Sequence, residues 1–245
     1  MHARSTRIGS LTRPEPAGGW PVAALTGASL LVGALVAGAA LTGRSTSPVT
    51  WYLARASGMT LYLLLWFSTL LGLGLTTTLL DRFGGRGVVY SLHRFVTSLA
   101  YGFLSLHVLS LAADSWMAFG PVALVVPFAS PWREPWTGFG VIAGGLFVAI
   151  GGSFALRRYL TYRTWRALHW LAFPLFGLAL AHGIGAGTDS STVWAQGIYW
   201  VSGLSVLWLA AYRALVGRRA HPPEPASAPQ PPFDRLASPH LARRT

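Results

Sequence analysis

The sequence predicts an all-α polytopic membrane protein, a bundle of six transmembrane helices. Three observations carry that expectation. Of 245 residues, 52% are apolar and only 11% are charged, whereas about a quarter of the residues of a soluble domain are charged. Mean hydropathy is +0.46. The apolar residues gather into six runs long enough to cross a bilayer, which takes about 20 residues of helix, and the charged residues fall mostly between those runs.

In chain order, residues 1–19 form a basic N-terminal segment expected to be cytoplasmic. The runs at 20–42, 58–80, 90–113, 137–156, 165–185 and 193–215 make a six-helix domain over 20–215. The first run resembles a secretory signal, with arginines before it and Ala-Gly-Ala-Ala at 37–40. Its apolar stretch is longer than a signal core, so it reads as a retained helix. Cleavage would leave five spans in the same orientation. Between the third and fourth runs, Asp114 to Trp136 is broken by Pro121, Pro127, Pro131 and Pro135. It is too interrupted to span, yet apolar enough to lie on or dip into the outer surface. The tail at 216–245 is rich in Pro, Ala and Arg and is expected to be disordered and cytoplasmic.

Orientation follows from the arginines, which supply all the basic side chains other than histidine. Sixteen of the nineteen lie in the N-terminal segment, the connections after the second and fourth runs, and the region after the sixth. Short cytoplasmic connections are enriched in such residues, so both termini are expected in the cytoplasm and the protein in the plasma membrane. Trp51, Trp116, Trp132, Trp136 and Trp194 fall on the opposite side, as an aromatic belt does. The net charge of +12 is thus topology rather than a nucleic-acid patch.

Absence of cysteine excludes disulfides, thiolate metal sites and thioether-linked haem from this sequence, so histidine becomes the residue to follow. Four of seven histidines lie inside apolar runs: His93 and His107 on the third, His169 and His182 on the fifth. Each pair is spread by roughly 20 Å along its helix. Both runs cross in the same direction, which puts His93 level with His169 near the cytoplasm and His107 level with His182 near the outside. Two imidazoles facing each other across a bundle are the axial ligands of a non-covalent b-type haem. Two such haems, at His93/His169 and His107/His182, make a transmembrane electron path. Zinc or copper needs three or four close ligands, which histidines this far apart on one helix do not supply. The spacings are 14 and 13 positions. Fourteen return within about 40° of one helix face, whereas thirteen miss by about 140°. Either Pro174 distorts the fifth helix or the second haem lies on another side of it.

Arg55 stands where the second span begins, at the outer level, to clamp a haem propionate, meet an anionic substrate or contact headgroups. Arg94, Arg163 and Arg166 at the inner level read as orientation signals.

Arg-Ala-Ser-Gly at 55–58, His93-Arg94 through Leu106-His107, and Trp165-Arg166-Ala167-Leu168-His169 through His182 together resemble the ferric reductase-like transmembrane family, over about residues 48–215. That family includes ferric-chelate reductases, NADPH oxidases and the haem-bearing membrane subunit of the methionine-sulfoxide reductase system. The resemblance implies a six-helix bundle holding two b-type haems, the four histidines as ligands, and an oxidoreductase component passing electrons from a cytoplasmic donor to an outer acceptor. Many relatives continue into FAD and NADPH domains. No Gly-rich dinucleotide fingerprint follows a strand here, so the donor is expected to be a separate flavoprotein, a small redox protein or quinol. The acceptor is ferric chelate, oxygen or a partner reductase. Two rivals stand beside this reading: a non-enzymatic haem-binding subunit or sensor, and a transporter. For the transporter, no broken helices or internal repeats are evident.

Overall fold

The computed structural model describes residues 48–77, 85–117 and 119–219. The expected N-terminal segment and first span lie outside the described residues, as does the tail from 220 onward. Within them the protein is helical, without a strand, and five helices are long and apolar enough to cross a membrane.

Helix α1, Val49–Thr77, begins nine residues before the apolar run that predicts it. Pro48 opens it, where a missing N–H costs nothing, and the Pro48 carbonyl accepts from Tyr52 N at 3.0 Å. Arg55 therefore sits in the second turn of a helix rather than at its entrance. Helix α2, Gly85–Ala113, follows and packs closely along α1.

The segment between α2 and the next long helix is the proline-interrupted one, and it forms a strap. Its first anchor is Asp114, whose carboxylate accepts from the Trp116 and Met117 amides at 3.1 and 2.7 Å. The same carboxylate takes the Thr50 hydroxyl at 2.8 Å, fastening the end of α2 to the start of α1. A single helical turn, α3 (Pro121–Val125), follows. Phe128 and Arg133 then adopt φ of 62° and 40°, left-handed values costly for side chains of that size.

Helix α4, Glu134–Ala155, leads through a 3-10 turn at Arg157–Tyr159 into α5 (Tyr162–Trp170) and α6 (Ala172–Ala186). The predicted fifth span is therefore one membrane-length element broken in two at Leu171. Pro174 has no N–H to give the Trp170 carbonyl, and the Leu171 amide tightens onto Leu168 O at 3.1 Å instead. Helix α7, Val193–Arg219, runs four residues beyond the expected end of the last span.

α1 with α2, and α4 with α6, make two tight helix pairs, and α7 closes against α1. Between the pairs, the Tyr101 ring stacks on Phe147 at 4.1 Å and 2°, and its hydroxyl donates to Phe147 O at 2.6 Å. Gly151 leaves space for that hydroxyl, since a Cβ there would collide with it. Trp66 Nε1 donates to Ser205 Oγ at 2.9 Å, tying α1 to α7. The core joins Tyr62, Ala100, Phe147, Phe176 and Tyr199.

One end of the bundle gathers the starts of α1, α4 and α7 with the ends of α2 and α6, and so all five tryptophans of the expected belt. The other end carries Arg86, Arg94, Arg157, Arg158, Arg163, Arg166 and Arg213.

Candidate functional site

Each predicted histidine meets its predicted partner. The His93 and His169 rings have centroids 6.5 Å apart with planes at 78°. The His107 and His182 rings are 6.4 Å apart with planes at 75°. With metal–imidazole bonds of about 2.0 Å and a ring centre about 1.2 Å behind the coordinating nitrogen, two imidazoles on opposite sides of one metal have centres about 6.4 Å apart. Edge-to-face aromatic pairs span about 4.5–7 Å, so distance alone does not separate the two arrangements. The anchoring of the rings adds a second observation.

His107 Nδ1 donates to Ala54 O on α1 at 2.8 Å. His93 Nδ1 donates to Ser68 O at 3.0 Å, also on α1, with Ser68 Oγ at 3.2 Å. His182 Nδ1 donates to Trp136 O on α4 at 2.9 Å. A carbonyl only accepts, so in each case Nδ1 carries the proton and Nε2 keeps a free lone pair. This is how proteins orient and enrich metal-binding imidazoles. A histidine that only satisfies its ring against a neighbouring helix makes the same bond; in either case Nε2 is the atom left open.

A glycine stands one turn after each of these carbonyls and makes room for the ring. A Cβ on Gly58 would lie 2.9 Å from His107 Nδ1, on Gly140 2.5 Å from His182 Nδ1, and on Gly72 3.5 Å from His93 Cε1. Ala54 with Gly58 and Ser68 with Gly72 are the same device repeated at 14 positions, matching the spacing of His93 and His107 on the antiparallel neighbour. Fourteen positions beyond Trp136 and Gly140, α4 carries Ile150 and Phe154. The device is not repeated there, and His169 is held differently: its ring stacks on Trp165 at 5.5 Å and 18°. The helix break at Leu171 falls between His169 and His182 and puts them on separate helical segments. One straight helix cannot keep both histidines in phase, but two helices meeting at a kink need not share a phase.

His107 and His182 line a cavity of about 590 Å³ at the tryptophan end, within the range of about 300–1,000 Å³ usual for small-molecule and cofactor pockets. Its walls are mostly apolar, with the strap residues Met117, Phe119 and Val125 along one side. Arg55 lines the same cavity and forms an ion pair with Asp189, from the connection between α6 and α7. Its Nε is buried and has no hydrogen-bond partner. Arg133 caps the end of α6, donating to Gly185 O at 2.9 Å. Trp136 packs so closely on Gly185 that a side chain there would enter its ring.

Sequence reasoning missed the carbonyl and glycine anchors and the Asp189 partner of Arg55. The matched 14-position glycine spacing was the available signal for the first. For the second it was the rarity of acids, seven in the whole chain. Among the described residues no group of three or more His, Asp or Glu side chains gathers as a metal site, so each centre offers two imidazoles and nothing further. Fold and site together define a helical bundle of membrane-spanning proportions with two imidazole pairs stacked along its axis. No protein family, curated protein or solved structure matches the chain.

Proposed function

We propose that this protein is a membrane di-haem b cytochrome of the ferric reductase-like type. It carries single electrons from a cytoplasmic flavoprotein or quinol, through a haem at His93/His169 and a second at His107/His182, to an outer acceptor. The observation that carries the reading is the two facing imidazole pairs, at 6.5 and 6.4 Å, with three of four Nδ1–H groups committed to carbonyls. Two-histidine sites suit an iron whose other four ligands come from a porphyrin. When bound, haem supplies the one-electron ferric/ferrous couple.

The other residues fit that group. Arg55, with its unpartnered buried Nε in the cavity, offers a donor for a haem carboxylate. The apolar wall limits water at the centre. Large apolar side chains exposed along α7, among them Trp200, Leu204, Leu207 and Trp208 at 57–69%, suit a lipid-facing helix. The arginine end then lies in the cytoplasm, the tryptophan end and its strap outside, and a sixth span precedes Pro48.

The test is a pyridine haemochrome assay with a redox titration on the purified full chain, alongside His107→Ala and His169→Ala. The expected result is about two b haems per chain, with each substitution removing or shifting a different one. Absence of haem after expression with haem available overturns the reading.

A further inference from the structure

The four histidines are not held alike, and the exception points to a second property of the arginine-end site. His93, His107 and His182 each donate to a carbonyl on another helix. The His169 ring has no hydrogen-bond partner among the described residues. It lies on Trp165 of its own helix, and Arg157 covers the Trp165 ring at 5.0 Å.

The element beneath it differs too. Helix α5 has nine residues, ends at the Leu171 break, and leaves the Trp170 carbonyl without the amide that Pro174 lacks. His169 is exposed, as is most of α5. Withdrawing His93, His107 or His182 breaks a cross-helix hydrogen bond at the ring. A displacement of α5 carries His169 and Trp165 together and breaks no hydrogen bond at the ring; what it gives up are the ring contacts of Trp165 with Phe154 and Arg157 and of Trp170 with Arg213.

We propose that the His93/His169 centre is an exchangeable ligand site. Helix α5 swings at Leu171, withdraws His169 and opens one coordination position for a small neutral iron ligand of the carbon monoxide class, while the His107/His182 centre stays closed. The inference rests on the di-haem reading above. In the exchange the iron–His169 bond breaks and an iron–ligand bond forms; no electron moves, and the imidazole leaves neutral.

The experiment adds carbon monoxide to the dithionite-reduced, haem-loaded full chain after its haem content has been measured. The expected result is a spectral change in one haem of the two. Trp165→Ala, which removes the ring support of His169, speeds carbon monoxide binding by about two- to tenfold, the equivalent of losing one aromatic stacking contact. Trp165→Phe keeps a stacking ring and remains near wild type. Val201→Ala, on the exposed face of α7, leaves the carbon monoxide rate unchanged. Two haems with no carbon monoxide change, a change in both, or a rate that Trp165→Ala leaves at the wild-type value overturns the proposal while the di-haem reading stands. A chain without haem overturns both, and the haem measurement shows this before the gas is added.

Discussion

A glycine against an imidazole is a measurable constraint, because the smallest possible side chain tests it. At Gly140 an added methyl would lie 2.5 Å from His182 Nδ1, closer than real side-chain contacts come, while at Gly72 it would lie 3.5 Å from His93, an ordinary contact. Gly140→Ala is therefore expected to displace His182, at about 1–3 kcal/mol of overpacking. On the proposed di-haem reading, a haem at the His107/His182 centre is then lost or weakened and the other is spared. Gly72→Ala leaves both in place. Haem stoichiometry and the two waves of a redox titration read the difference; equal behaviour of the two variants means the rings are not seated as described. Arg55 and Asp189 make a second residue-scale contrast, with opposite signs. If Arg55 serves a haem carboxylate, Arg55→Gln weakens retention of that same haem by about tenfold, the worth of one charge-assisted hydrogen bond. Asp189→Asn releases Arg55 from its present partner and does not weaken retention. Haem transfer to apomyoglobin measures both rates, and parallel losses would assign the pair to loop anchoring alone.

At the scale of elements, five apolar runs were legible because the bilayer length requirement and hydropathy act on many residues at once, and each corresponds to a described helix. Errors fell where one or two residues decide. The start of α1 was misplaced because Pro48 opens the helix while Arg55 interrupts the apolar pattern. That arginine is accommodated by an acid 134 positions away, which no local pattern shows. Pro174 did signal a distortion, but the break falls three residues earlier, at Leu171, because a proline disturbs the turn that precedes it. The pairing of histidines was legible from depth alone, since equal position along parallel spans fixes level without fixing rotation. What fixes rotation, the carbonyl on the neighbouring helix and the glycine a turn later, is a property of packing between helices. The strap was read as too interrupted to span, and its Asp114 staple to Thr50 gives that interruption a purpose by holding the strap beside the cavity.

At the scale of the molecule, the arginines separate the two ends. Among the described residues, one end has seven arginines from Arg86 to Arg213, while the tryptophan end has Arg55 and Arg133. Four of the seven arginines at that end rest on aromatic rings, among them Arg157 on Trp165 at 5.0 Å and Arg213 on Trp170 at 4.9 Å. Their alkyl stems can thus stay with apolar surface while the guanidinium groups reach the water phase. Arginine-rich short connections are retained in the cytoplasm, so the two ends should face different compartments. The chain contains no cysteine, and a single introduced thiol therefore reports its own position without background. Ser191→Cys, in the exposed connection before α7, is expected to react with a membrane-impermeant maleimide on intact cells. Tyr159→Cys, in the 3-10 turn where the native ring is 71% exposed, should react only after the membrane is opened. The reverse order inverts the bundle and with it the proposed direction of electron flow, placing the His93/His169 pair outside. Equal reaction at both sites on intact cells would show that the helices do not separate two compartments, and the transmembrane electron path would fail even if both haems were present.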